Sequence, residues 1–271
     1  MIKFPLFAVG VLFLASSALA QQSAAGATES AEPVPDCADL PVMQKQLDWQ
    51  AGRLRDWAQL DRYREANAQL PRPAKDEIRV VFMGDSLTDG WSSPQFGGFF
   101  PGKPYVNRGI SGQTTPQMLV RFRPDVIDLA PQVVVILAGT NDIAGNTGPM
   151  TLEGIEGNLT TMTELARAHG IRVVLSSVMP VRDGLTSKNG EKLVWTSKRP
   201  PQTISALNEW IKKYAAANHL VYLDYFSAMA DDHGFLKAAI TYDGPHPNAQ
   251  GYVVMAPLAE KAIRDSLKPQ P

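Results

Sequence analysis

Five short apolar runs alternate with stretches of helical spacing along this chain, and that alternation limits the folds open to it. The runs cover 78–83, 105–106, 133–137, 171–175 and 220–223. They are rich in Val, Ile and Leu and read as strands buried on both faces. Between them, Ile155, Leu159, Met162 and Leu165 recur at helical spacing, as do Ile204, Leu207, Ile211 and Tyr214. A last helix is expected over 248–267, capped by Asn248 and burying Tyr252, Ala256, Ala259, Ile263 and Leu267. Such a sequence favours an α/β chain, a parallel sheet covered on both faces. Ahead of the sheet, Leu47, Leu54, Trp57, Leu60 and Tyr63 predict an amphipathic helix within 47–70, stopped by Pro71 and Pro73. The stretch 181–201 carries Gly, Asn, Ser, Lys and two prolines, with Trp195 as its large aromatic. It reads as a long loop, either functional or merely tolerated. The chain shows no internal repeat and no second domain.

Four segments carry candidate chemistry: Gly84-Asp85-Ser86-Leu87, the 107–112 stretch ending in Gly109-Ile110-Ser111-Gly112, Gly139-Thr140-Asn141-Asp142, and Asp243-Gly244-Pro245-His246. The first three follow the ends of apolar runs and the fourth precedes the last helix, so an α/β fold can gather them at one sheet edge. A serine hydroxyl becomes a useful nucleophile when a base takes its proton, and the base works best when a carboxylate orients it. Ser86, His246 and Asp243 can fill those roles. A tetrahedral intermediate also needs donors aimed at its oxygen. The Ser86 N–H, the Gly112 N–H and the Asn141 side-chain amide are on offer, whereas an ionised aspartate at 141 could only accept. Each segment alone can be a turn, a cap or a structural hydrogen bond. Together and in order they point to an ester-hydrolysing site. Such a site needs a neutral His246, so activity is expected to fall on the acid side. Asp85, beside the nucleophile in sequence, is expected to hydrogen-bond the loop that presents it.

Carrying all four blocks over about 77–267, the chain resembles the SGNH subfamily of GDSL esterases and lipases. The resemblance implies a flavodoxin-like three-layer α/β/α sandwich with a five-stranded parallel sheet, in agreement with the five runs. It implies that Ser86 is the nucleophile, His246 the base and Asp243 its orienting acid. It also implies that Gly112 and Asn141 join the Ser86 N–H in the oxyanion hole, and that no metal or organic cofactor takes part. His169, His219 and His233 are scattered, without the spacing of a metal site.

The ends and the composition bound the setting. Residues 1–20 run from Lys3 through an apolar stretch to Ala18-Leu19-Ala20, the order of a secretory signal peptide cleaved after Ala20. The apolar run is short for a membrane anchor, so no stable membrane insertion is expected after cleavage. Residues 21–40 read as a flexible leader, rich in Ala, Ser, Glu and Pro, and the domain with its helical extension as 41–271. The protein is then secreted or periplasmic. Cys37, the single cysteine, has no intrachain partner and reads as a spacer thiol. With 26 basic against 27 acidic residues there is no basic footprint for nucleic acid.

A module binding nucleotide or flavin phosphate is disfavoured, because Asp85 and Asp89 repel phosphate at the first strand end. A glycan-binding protein without turnover is the other non-catalytic reading, prompted by Trp91, Trp195 and Tyr242, at least one of which is instead expected to be a core or loop-anchoring residue. Within catalysis, the resembling members include carbohydrate acetylesterases, short-chain arylesterases, thioesterases and lysophospholipases, which these blocks do not separate. The expectation is a short acyl group on a carbohydrate or other small alcohol. No long apolar lid is apparent, and Trp91, Trp195, Arg199 and Tyr242 are candidate contacts for the alcohol. Asn158-Leu159-Thr160 matches a glycosylation sequon but falls in a helical pattern, and reads as chance.

Overall fold

In the computed structural model, residues 40–186 and 189–269 are described. The expected signal peptide, Cys37 and all of the leader except Leu40 therefore lie outside the described residues. The chain divides into two units, 1–46 and 47–271. Of the first, the described residues belong to helix α1 (Leu40–Arg55).

The second unit is built on one sheet. Its strands are β1 (Val80–Gly84), β2 (Tyr105–Gly109), β3 (Val133–Leu137), β4 (Arg172–Ser176) and β5 (Val221–Leu223). They lie in the order β2-β1-β3-β4-β5, all parallel. The register is regular, with Gly84 opposite both Gly109 and Leu137, so the ends of the first three strands are level. The helices are α2 (Arg64–Gln69), α3 (Ser86–Asp89), α4 (Thr115–Asp125), α5 (Thr140–Ile143), α6 (Leu152–Ala168), α7 (Pro201–Ala217), α8 (Tyr225–Met229) and α9 (Ala249–Leu267).

Strand side chains alternate between two cores. Val81 and Met83, Val134 and Ile136, and Val173 and Leu175 pack with Met118 and Phe122 of α4, Ile155 and Leu159 of α6, and Ile204 and Leu207 of α7. Val80, Phe82, Val133 and Val135 turn the other way, onto Tyr252, Met255, Ala259 and Ile263 of α9, Met229 of α8 and the aromatics Trp91 and Phe100. This is the three-layer sandwich expected. The order 2-1-3-4-5 reverses direction at β1, and ligands of open parallel sheets bind outside the strand ends at such a switch point.

Three details differ from the sequence reading. The helix expected within 47–70 is broken: α1 ends at Arg55 and α2 begins at Arg64. Asp56 explains the break, since its carboxylate accepts from the N–H groups of Leu60 at 2.7 Å and Asp61 at 3.0 Å, holding a turn. The apolar stripe is not buried either, for Leu54 is 85% exposed and Leu47 56%. Helix α4 went unread because Thr115-Pro116 and Pro124 punctuate it. Its local signal is the capping box, in which Gln117 Oε1 accepts from the Thr114 N–H at 3.1 Å. Strand β2 extends through Asn107 and Arg108, polar residues that side-chain bonds satisfy; Arg108 Nε reaches Asn67 Oδ1 of α2 at 2.9 Å. Asn248 caps α9 as expected, accepting from the Gly251 N–H at 3.1 Å.

Candidate active site

Ser86 opens α3 directly past β1. Asp85 caps that helix, its Oδ1 accepting from the Leu87 N–H at 2.9 Å, and the Tyr252 hydroxyl of α9 donates to the Leu87 carbonyl at 3.0 Å. Gly84 is required by close approach, because a Cβ there would lie 2.2 Å from Thr88 Oγ1. The turn is thus clamped between strand and helix, with the serine hydroxyl facing outward from it.

The Ser86 hydroxyl meets His246 Nε2 at 2.9 Å, and His246 Nδ1 meets Asp243 Oδ2 at 2.7 Å. An ionised carboxylate only accepts, so Nδ1 carries the proton and Nε2 is left to accept from the serine. Asp243 Oδ1 also accepts from the His246 N–H at 3.0 Å. The turn itself is fixed by Thr241, whose hydroxyl donates to the His246 carbonyl at 2.7 Å and accepts from the Gly244 N–H at 3.0 Å. Tyr242 stacks on the imidazole, ring centroids 5.9 Å apart.

The β2 and β3 ends supply the remaining groups. Asn141, in α5, is 3% exposed; its Nδ2 donates to the Gln113 carbonyl at 3.0 Å and its Oδ1 accepts from Arg199 Nη2 at 3.1 Å. The Gly112 carbonyl accepts from Asn146 Nδ2 at 3.1 Å, and Ser111 Oγ donates to Asp89 at 2.7 Å. Beneath them lies the fully buried Arg121 of α4. One guanidinium donates to the Gly84 carbonyl at 3.0 Å, to the Arg108 carbonyl at 2.8 Å and to the Gln113 side chain, and pairs with Asp125 at 3.0 Å. Arg121 therefore ties the chain before Ser86 to both flanks of the Gly109–Gly112 loop. Asp142 joins α5 to α4 by accepting from the Thr115 N–H at 2.9 Å and hydroxyl at 2.6 Å.

The electrostatics follow from burial. Desolvation pushes the Asp85 carboxyl up to about 6, against the Leu87 N–H and His246, which favour its charge. Asp142 is also raised, by burial first, with the Thr115 bonds opposing. Burial raises the Tyr242 phenol, helped by Asp243. Burial lowers Arg199, but a guanidinium remains a cation.

Ser86, Gly112, Asn141, His246, Trp195, Arg199 and Tyr242 line one cleft of about 490 Å³. Asp243 stands behind His246. Trp91 does not join them. It is 4% exposed and packs against Tyr252 at 4.9 Å, Phe100 at 4.9 Å and Phe99 at 5.7 Å, so the expected alcohol contact is a core residue. From the segment 181–200, Val181, Trp195, Lys198 and Arg199 line the same cleft. Asp183 accepts from the Trp195 N–H at 2.5 Å and the Thr196 N–H at 2.9 Å, and Trp195 Nε1 donates to the Asp243 carbonyl at 2.7 Å. Asn158 donates to Thr115 Oγ1 at 2.9 Å, which occupies the sequon's amide inside α6. Among the described residues no group of three or more His, Cys, Asp or Glu side chains is arranged to hold a metal ion.

Sequence reasoning missed Arg121, Gln113 and Asp183. Nothing local marks them, since each acts on backbone or side chains distant in sequence.

The model of the GDSL-like lipase/acylhydrolase family matches residues 82–254, which span every group just described. The chain belongs to the GDSL-like lipase/acylhydrolase family. It is a carboxylic ester hydrolase. A solved structure from Bacteroides fragilis, assigned as an acylhydrolase, is 45% identical with a TM-score of 0.71, covering 79% of this acylhydrolase and 99% of its own chain. An acetylxylan esterase of Geobacillus stearothermophilus is 23% identical over 202 residues, 66% of this chain and 90% of that protein. A functionally uncharacterised lipoprotein of Bacillus subtilis, YqeF, is 37% identical over 82 residues, 29% of this chain. That match spans about a third of the lipoprotein, 34% of its length.

Proposed function

We propose that this acylhydrolase is a secreted serine esterase that removes short acyl groups, acetyl foremost, from a carbohydrate or other small alcohol. The observation that carries the reading is the unbroken chain from Ser86 Oγ to His246 Nε2 at 2.9 Å and from Nδ1 to Asp243 at 2.7 Å, in a cleft also lined by Gly112 and Asn141. In this reading Nε2 takes the Ser86 proton as the hydroxyl oxygen attacks the ester carbonyl. The Ser86 and Gly112 N–H groups and Asn141 Nδ2 receive the oxyanion, and Asp243 stabilises the imidazolium. His246 then protonates the departing alcohol, leaving an acyl-serine. Water, deprotonated by His246, releases the acid and restores the hydroxyl. These groups need no cofactor.

The size preference rests on the walls of the cleft. Ser111, Asn146, Thr140 and Lys198 interrupt its apolar lining, and Trp195 and Tyr242 add aromatic rings of the kind that meet sugars. The acetylxylan esterase relative supports the same class. Secretion is supported by the signal-like residues 1–20 and by the lipoprotein relative. The expected partner is a small-molecule or glycan ester, with no nucleic acid.

A series of nitrophenyl esters from two to twelve carbons, run beside acetylated xylooligosaccharides, tests the substrate class. The expected result is a kcat/KM maximum at two to four carbons and deacetylation of the oligosaccharides. A maximum at eight carbons or more would favour a lysophospholipase or thioesterase instead.

A further inference from the structure

The Asn141 carboxamide is held between two neighbours of opposite kind. Its oxygen accepts from Arg199 Nη2 at 3.1 Å, and its nitrogen donates to the Gln113 carbonyl at 3.0 Å. A guanidinium has no acceptor and a carbonyl no donor, so the chemistry on each side dictates which amide atom faces it. One Nδ2 hydrogen is used by Gln113. The other remains for the cleft that Asn141 lines.

Arg199 is itself largely committed to protein. It is 8% exposed, its Nε donates to Thr140 Oγ1 at 3.1 Å, and its guanidinium lies 5.3 Å from the centre of the Trp195 ring. Its backbone N–H is tied to the Trp195 carbonyl at 3.0 Å. A residue meant to reach for a substrate's alcohol has its donors free. These donors instead grip the first two residues of α5, one of which carries the amide in question.

We propose that Arg199 is a positioning residue for ester hydrolysis that acts through Asn141: it fixes the carboxamide with an N–H toward the cleft and strengthens that N–H as an oxyanion donor. The proposal rests on the reading of Asn141 as an oxyanion donor and deepens it. The physical basis is polarisation along a hydrogen-bonded chain. A cation on the amide oxygen draws density from the nitrogen, and bonds to ionised groups are about twice as strong as neutral ones. The effect matters most as negative charge develops on the substrate oxygen, so it belongs to the transition state rather than to substrate binding. It also gives the long segment 181–200 a function at its far end, since that segment delivers Arg199 to α5.

A double-mutant cycle on nitrophenyl acetate tests this, with kcat and KM measured for Asn141→Ala, Arg199→Met, the double variant and Arg199→Lys. Asn141→Ala is expected to lower kcat by about 10²- to 10³-fold. Arg199→Met is expected to lower kcat roughly ten- to a hundredfold with KM within about twofold. Arg199→Lys restores part of the loss through a single charged donor. The double variant is no slower than Asn141→Ala alone, because the arginine has lost the group it acts through. Effects that multiply in the double variant overturn the proposal, as does an Arg199→Met enzyme with raised KM and unchanged kcat, which marks a substrate contact. An Asn141→Ala enzyme at full speed overturns the oxyanion reading as well, a result distinct from multiplicative effects around a slow Asn141→Ala. Arg199→Gln, neutral but still polar, completes the same cycle if the methionine variant unfolds.

Discussion

Asp85 shows what a buried charge beside the Ser86 turn costs. Its carboxyl is fully buried, only Oδ1 has a hydrogen-bond partner among the described residues, and burial lifts it from 3.8 to about 6. Between those two values the folded chain holds a proton that the unfolded chain has released. Its contribution to stability is therefore full below pH 3.8 and is lost as pH rises through about 6. Asparagine at 85 keeps an oxygen for the Leu87 N–H and has no charge to bury. Asp85→Asn is expected to gain on the wild type by about 2.5 kcal/mol between pH 4 and pH 8, read by urea unfolding at both. A gap that does not change with pH would contradict this account of the site. At this scale the sequence exposes what chemistry restricts to few residue types: the hydroxyl, imidazole, carboxylate and amide of the four blocks meet at one cleft. It hides Arg121, because a buried cation is defined by the carbonyls of Gly84 and Arg108, which any sequence supplies.

The element that carries most of the site's geometry beyond the sheet is the segment 181–200. Its described residues hold neither helix nor named strand, yet it is pinned at Asp183, at Trp195 and at Arg199. Its contact with the Asp243–His246 turn is close. Gly244 has φ +112°, and a Cβ there would stand 2.4 Å from the Arg182 carbonyl oxygen and 2.6 Å from the Trp195 ring. Gly244→Ala must push the turn off the segment, and misplacing reacting groups by an ångström can lower rate about a hundredfold. The expected outcome is a fall in kcat of that order with the circular dichroism of the sheet and helices unchanged. Full activity would show that the segment does not support the turn. Periodicity revealed the elements that bury one face, such as α6, α7 and α9, and the strands with apolar residues throughout. It failed where polar bonding decides, as at the Asp56 turn that splits the expected N-terminal helix and in β2, whose polar residues bond to α2.

Across the whole molecule, the level ends of β1, β2 and β3 explain how groups from residues 86 to 246 share one cleft. The switch point of the 2-1-3-4-5 sheet sets Ser86, Gly112 and Asn141 on adjacent strand ends, and α9, packed across the opposite face, fixes the approach of His246 through the turn just before it. The fold-level order was legible because parallel strands alternate with helices in sequence. Trp91 takes the core role that the sequence also allowed it: an aromatic near Ser86 in sequence fills the space between Phe82, Phe100 and Tyr252. In the proposed mechanism one serine hydroxyl forms and releases the acyl group. The most direct test of that mechanism is turnover of nitrophenyl acetate by the purified protein beside Ser86→Ala, with rapid mixing and mass measurement of the quenched enzyme. An acetyl adduct on Ser86 is expected in the wild type, with turnover lowered by about 10⁶-fold in the variant. Turnover retained by Ser86→Ala, or an adduct on another residue, would contradict it.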